Sequence, residues 1–159
     1  MKFQVMSRQN AKKYSYAVKH KCAFVSITDV FSKENQFADN SNIIGVFKVQ
    51  FDDVERGGEN CITEKQGNMI VKFVMSVKDK VDEIVVHCEA GVSRSAGVCA
   101  ALMKILNDDD FEIFNNPRFC PNMTCYRTVL NAYFDSIDEE SIQQKEEHNL
   151  KVWREANDI

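Results

Sequence analysis

Apolar positions in the first half of the chain fall into short β-rich runs separated by stretches of helical spacing, the pattern of an α/β layer structure with a largely parallel sheet. Phe3-Gln4-Val5-Met6 reads as a strand, Ser7 offers an N-cap for a helix through about Ala17, and Cys22 to Ile27 reads as a second strand. Asp29 to Asn42 is a polar connection whose only packing candidates are Phe31 and Phe37. Ile43 to Phe51 is the third strand, running into a loop, Asp52-Asp53-Val54-Glu55-Arg56-Gly57-Gly58, that the glycines mark as sharply turned. Thr63-Glu64-Lys65-Gln66 has the form of a capping box. After it, Met69, Ile70, Phe73, Val74, Val77 and Val81 recur at helical spacing, which predicts a helix from about 63 to 80.

Glu83 to His87 is a continuous apolar run of the kind buried at the centre of a parallel sheet. Arg94 to Leu106 is a helix rich in small residues, where Ala96, Gly97, Ala100 and Ala101 permit close approach to the sheet. Residues 107–121 read as irregular or only briefly helical. Asn122 or Thr124 can cap the next helix, with Val129, Leu130, Tyr133 and Phe134 as its apolar face. Beyond Ser136 an acidic stretch continues as helix, with Ile142, Leu150, Val152 and Trp153 as its few anchors. The expectation is one domain over residues 1–159, a central, mostly parallel twisted sheet of about four to five strands flanked by helices, and an acidic helical tail from about 136.

Composition narrows the function classes. With 159 residues, 44% hydrophobic and 28% charged, the chain is unlike disordered or fibrous sequences. The longest apolar runs fall far short of a membrane span, and the N-terminus has no apolar signal core, so a cytoplasmic protein with no membrane partner is expected. The formal charge of −4 is concentrated in residues 135–159, which carry 8 acidic and 3 basic residues. A broad basic face for nucleic acid is therefore not expected, and any anion site must be local. Six cysteines without an export signal read as reduced thiols, most of them buried. Cys120 and Cys125 lack a His or Cys pair to complete a tetrahedral zinc set, so no metal is expected.

The chemistry concentrates in His87-Cys88-Glu89-Ala90-Gly91-Val92-Ser93-Arg94-Ser95, between a buried strand and a helix. A turn from strand end to helix start points several backbone N–H groups into one concavity, and the positive end of the helix dipole reinforces them. Phosphate or sulfate fits such a cradle. Gly91 permits a conformation forbidden to larger residues, and Arg94 can close the site with two parallel charge-assisted hydrogen bonds to phosphate oxygens. At its floor, the thiolate of Cys88 is favoured by the amides, the helix terminus and Arg94.

This segment resembles the active-site signature of the cysteine-based protein tyrosine phosphatases, and chain size and loop form are most similar to the small dual-specificity branch. Arg118-Phe119-Cys120-Pro121-Asn122 is similar to a segment of that branch, with Phe119 standing where the family has proline. The resemblance covers roughly Cys22 to Phe134. It implies that Cys88 attacks phosphorus to form a cysteinyl-phosphate, that the loop from Glu89 through Ala90, Gly91, Val92, Ser93 and Arg94 holds the phosphate, and that Ser95 eases departure of the sulfur. His87 orients the loop, Asn122 is a supporting residue, and no cofactor is needed.

The resemblance also implies a general acid at the end of an upstream strand, where Phe51-Asp52-Asp53 stands. If Val49 and Phe51 face inward, Asp53 shares their side of the pleat and is the favoured acid, with Asp52 the alternative. Glu89, and the lack of basic residues in the loop before Arg94, disfavour heavily charged phospholipid headgroups. The expected partner is a phosphorylated protein or a small phosphomonoester, acted on by a monomer. Two other readings stay open: a phospho-binding module without turnover, and metabolite hydrolysis or arsenate reduction on the same loop, with Cys22, Cys61 or Cys99 as a resolving thiol.

Overall fold

The computed structural model describes residues 1–159. Strands β1 (Lys2–Ser7), β2 (Cys22–Thr28), β3 (Ile43–Gln50) and β4 (Glu83–Cys88) form one sheet in the order β1-β4-β2-β3, with every neighbouring pair parallel. The helices are α1 (Arg8–Ala17), α2 (Glu64–Val77), α3 (Arg94–Asn107), α4 (Phe111–Phe114), α5 (Met123–Asn131) and α6 (Glu139–Asn157). Because all strands run the same way, the segments leaving β2, β3 and β4 emerge along one edge of the sheet, where open α/β sheets place their ligands.

Side-chain alternation sorts the two central strands between two apolar layers. Ala23, Val25 and Ile27 of β2 and Ile84, Val86 and Cys88 of β4 join a core of 30 buried residues that includes Val74, Leu102, Tyr126 and Val129 of α2, α3 and α5. Phe24 and Val85 face the opposite way, into a cluster of 5 with Ala11, Val18 and Cys22 on the α1 side. Both faces of β2 and β4 are covered, which is why neither strand shows the polar alternation of a half-exposed sheet.

Local signals set most of the boundaries. Ser7 caps α1 by accepting from the Asn10 amide, and Thr63 and Gln66 form the reciprocal capping box of α2. Asn122, not Thr124, caps α5, accepting from the Cys125 amide; the Thr124 hydroxyl oxygen instead accepts from the Arg56 amide. Gly97 lets α5 start against α3, since a Cβ there would run into the Asn122 carbonyl oxygen.

Three apolar expectations fail. Phe31 is 92% exposed, because Gln50 donates to the carbonyls of Asp29 and Ser32 and the Val30 amide donates to Asp52, pinning a tight turn with Phe31 at its tip. Met69 is exposed while Val71 is buried, rotating the buried face of α2 from the one expected. Tyr133 lies beyond the end of α5 and is exposed. The tail is helical as α6, buried through Ile142 and through Asn149, whose amide donates to the carbonyls of Phe114 and Phe119. No helix is long and apolar enough to cross a membrane.

Candidate active site

Between β4 and α3 the backbone is irregular from Glu89 to Ser93, and Gly91 adopts a φ of 71°. A Cβ at Gly91 would sit 2.6 Å from the Met6 carbonyl carbon and from the Ser7 nitrogen, so the loop turns tightly against the end of β1. Outside hydrogen bonds hold the loop from both sides: the Arg8 amide donates to the Glu89 carbonyl, and the amides of Cys120 and Asn122 donate to the carbonyls of Val92 and Ser93. These carbonyls are thereby turned away from the bowl. Every backbone N–H from Glu89 to Ala96 is left without a protein acceptor, and Gly97, donating to Ser93, is the first to find one. That is a helix N-terminus extended by a loop of free donors, built to take an anion.

The side chains converge on the same point. Cys88 is 2% exposed and its Sγ lies 2.9 Å from the Ser95 Oγ; for an ionised sulfur the hydroxyl is the donor. Arg94 is buried, and one guanidinium nitrogen, Nη1, donates at 2.7 Å to both the Asp29 carboxylate and the Phe51 carbonyl. Its Nε and Nη2 donate to no protein group and keep solvent access, since no buried side-chain nitrogen in the molecule lacks a partner. The bound edge of the guanidinium fixes its plane and the free edge presents a fork suited to two phosphate oxygens.

The two aspartates after β3 part company. Asp52 accepts from the Val30 amide and from Asn60, bracing the connections. Asp53 accepts from the Ser93 hydroxyl and from Asn122, both at 2.9 Å, and so stands over the loop. Val49 and Phe51 are buried, as the strand period requires, while Asp53 lies beyond the end of β3 and owes its place to the bonds from Ser93 and Asn122. Ser93 begins α3 without capping it, because its hydroxyl is turned to Asp53.

His87 is fully buried, and burial pulls its pKa below the ordinary histidine value. Its Nδ1 lies 3.0 Å from the Cys88 carbonyl, which can only accept, so Nδ1 carries the proton. The neutral ring then accepts at Nε2 from Ser26 at 2.6 Å, with Asn35 at 3.3 Å. Asn35 also donates to the Arg8 carbonyl, tying the 29–42 connection to the strand beneath the loop.

Three of the other thiols, Cys22, Cys99 and Cys125, are placed apart from Cys88 or suppressed. Cys22 pairs in register with Glu83, five residues before Cys88 along β4, which is ~16 Å and beyond the reach of a disulfide. Burial pushes the thiols of Cys99 and Cys125 far up, and burial followed by the Glu83 charge pushes Cys22 up to about 11. All six cysteines are free.

The family model described as dual specificity phosphatase, catalytic domain, matches residues 8–135, a span that takes in the loop, both aspartates and Asn122. The chain belongs to this family. Dual specificity protein phosphatase 1 of mouse is 38% identical over 69 residues, covering 40% of this chain and 19% of that protein. Dual specificity protein phosphatase 1-A of Xenopus laevis is 35% identical over 69 residues, again 19% of its length. The match thus spans about a fifth of these curated relatives. Among solved structures, the human tyrosine phosphatase-like serine/threonine/tyrosine-interacting protein superposes with a TM-score of 0.61, covering 89% of this chain and 93% of its own, at 14% identity. Human DUSP28 gives 0.59 at 14% identity, covering 90% and 94%. At such identity the likeness is one of fold.

Within the dual-specificity architecture, Asp29, Ser26 and Asn35 are polar partners of the loop that sequence reasoning did not single out. All three belong to β2 or the connection after it, and their relevance depends on β2 lying beside β4. The usable signal was an aspartate directly following a mostly apolar strand.

Proposed function

We propose that this chain is a phosphomonoester hydrolase that dephosphorylates phosphotyrosine, and also phosphoserine and phosphothreonine, in proteins. The single observation that carries the reading is the run of unpaired N–H groups from Glu89 to Ala96, closed by the free edge of Arg94, above the Cys88 sulfur.

In the first step the Cys88 thiolate attacks phosphorus in line with the ester oxygen. The sulfur–phosphorus bond forms, the phosphorus–oxygen bond breaks, and the departing oxygen takes the proton of Asp53. Charge on the equatorial oxygens is met by donors already in place, so little reorganisation is needed. In the second step a water attacks the phosphocysteine, Asp53 takes its proton, and the sulfur leaves as a thiolate stabilised by the Ser95 hydroxyl. His87, neutral and held at both nitrogens, orients the carbonyl of Cys88 and hence the start of the loop.

Turnover of para-nitrophenyl phosphate and of a phosphotyrosine peptide tests the reading. The wild type is expected to release phosphate and Cys88→Ser to lose about four orders of magnitude or more, as for other essential nucleophiles. Comparable rates in both would remove Cys88 as the nucleophile.

A further inference from the structure

The family match ends at residue 135, whereas α6 begins at Glu139 and is fastened to the domain rather than trailing from it. Ile142 enters the core, Lys145 donates to Asp110 and to the Tyr126 hydroxyl oxygen, and the buried Asn149 amide holds two carbonyls. The face so fixed, with Glu146, Asn149 and Leu150, forms one wall of a cleft of about 580 Å³. Asp53, Val54, Glu55 and Arg56 stand along the opposite wall, and Ser93, Cys120 and Asn122 lie between them. The cleft therefore opens directly from the residues that hold the proposed general acid.

Its charge is uneven. Arg127 is neutralised by Glu139 at 3.0 Å, while Glu55, Arg56 and Glu146 form no ion pair. Leaving Asp53 aside, the lining residues set two free carboxylates against one free guanidinium, with Arg154 a further cation near Cys120 but outside the lining. The Cys120 thiol registers this field: burial pushes it up first, and the charges of Asp53 and Glu146 push it further, with Arg154 opposing.

Resting on the phosphatase reading above, we propose that this cleft seats the residue flanking the phosphorylated side chain of a protein substrate, and that Glu146 selects a lysine or arginine there. On this view α6 is a specificity wall added outside the matched domain. The anchoring of α6 suits the role, because a carboxylate carried on a docked helix discriminates between flanking charges without the helix first being ordered.

The test uses two phosphotyrosine peptides that differ only in lysine or glutamate beside the phosphoresidue. The ratio of their kcat/KM values is read for the wild type, Glu146→Lys and Glu147→Lys, so that a general change in activity cancels. The wild type is expected to favour the lysine peptide by about five-fold, the scale of one partly exposed charge pair. Glu146→Lys should erase or invert the ratio, and Glu147→Lys, which makes the same charge change outside the cleft, should preserve it. A wild-type ratio near one, or an equal response to both substitutions, overturns the assignment while leaving the phosphatase reading standing. If the wild type fails to hydrolyse para-nitrophenyl phosphate, both fall together. Thermal unfolding of the two variants confirms that the ratios come from folded protein.

Discussion

At the start of β4 Glu83 is fully buried, and its carboxylate is met by the Tyr14 hydroxyl, the Gln4 amide and His20. At the end of the same strand, five residues on, the Cys88 sulfur meets a single hydroxyl, and beyond it comes a run of backbone donors with no partner at all. One strand thus carries a closed polar cluster at one end and an open one at the other. The closed end stabilises the fold, because each buried donor and acceptor has its counterpart. The open end adds no such internal pairing, and its donors are left for solvent or an arriving anion to meet. The comparison separates, within one element, what is built for folding from what is built for binding.

Substitutions at the two ends should divide along that line. At the open end Arg94→Lys replaces a planar fork by a point charge, and is expected to lower kcat/KM by about 10³-fold. Steady-state kinetics checks this, and a loss below tenfold would break the proposed role of the free guanidinium edge. Asp53→Asn should lower kcat by about 10²-fold on a phosphotyrosine peptide and by less on para-nitrophenyl phosphate, whose leaving group needs little protonation. The same change at Asp52, which braces Val30 and Asn60, should leave kcat within about threefold and show itself in stability.

The closed end should respond in the opposite sense, with stability altered and chemistry spared. Although burial alone would raise the Glu83 pKa, the hydrogen bonds from Tyr14, Gln4 and His20 outweigh it and hold the group below its ordinary 4.5. A depressed carboxylate pKa stabilises the fold above the ordinary value, and that stabilisation is lost as pH falls through the depressed one. Glu83→Gln is therefore expected to cost about 2 kcal/mol at pH 7 in denaturant unfolding. Below pH 4.5 the gap to the wild type should shrink. A gap independent of pH would show that the ionised carboxylate is not the stabilising species.

How far the open end could be read from sequence depended on contiguity. The loop from His87 to Ser95 was legible because its residues are consecutive, and Asp53 was favoured over Asp52 on the condition that Val49 and Phe51 face inward, which they do. Asp29 lies 65 residues from Arg94, and only the placement of β2 next to β4, which no local pattern encodes, brings the two together. Phe31 misled for a related reason: its hydrophobicity argues for burial, but the hydrogen bonds of Gln50, from a neighbouring strand, set the turn that keeps it in solvent. The tail was legible as helix from its pattern, while its fastening through Asn149, a polar residue, carried no hydrophobic signal.

Gly91 has its missing side chain filled by the backbone of Met6 and Ser7, so the edge strand serves as the mould in which the phosphate loop is cast. The first seven residues contribute no atom to the proposed reaction, yet any change that shifts β1 away from β4 would let the mould open and the bowl relax. Damage at the beginning of the chain would be felt at the sulfur more than eighty residues later.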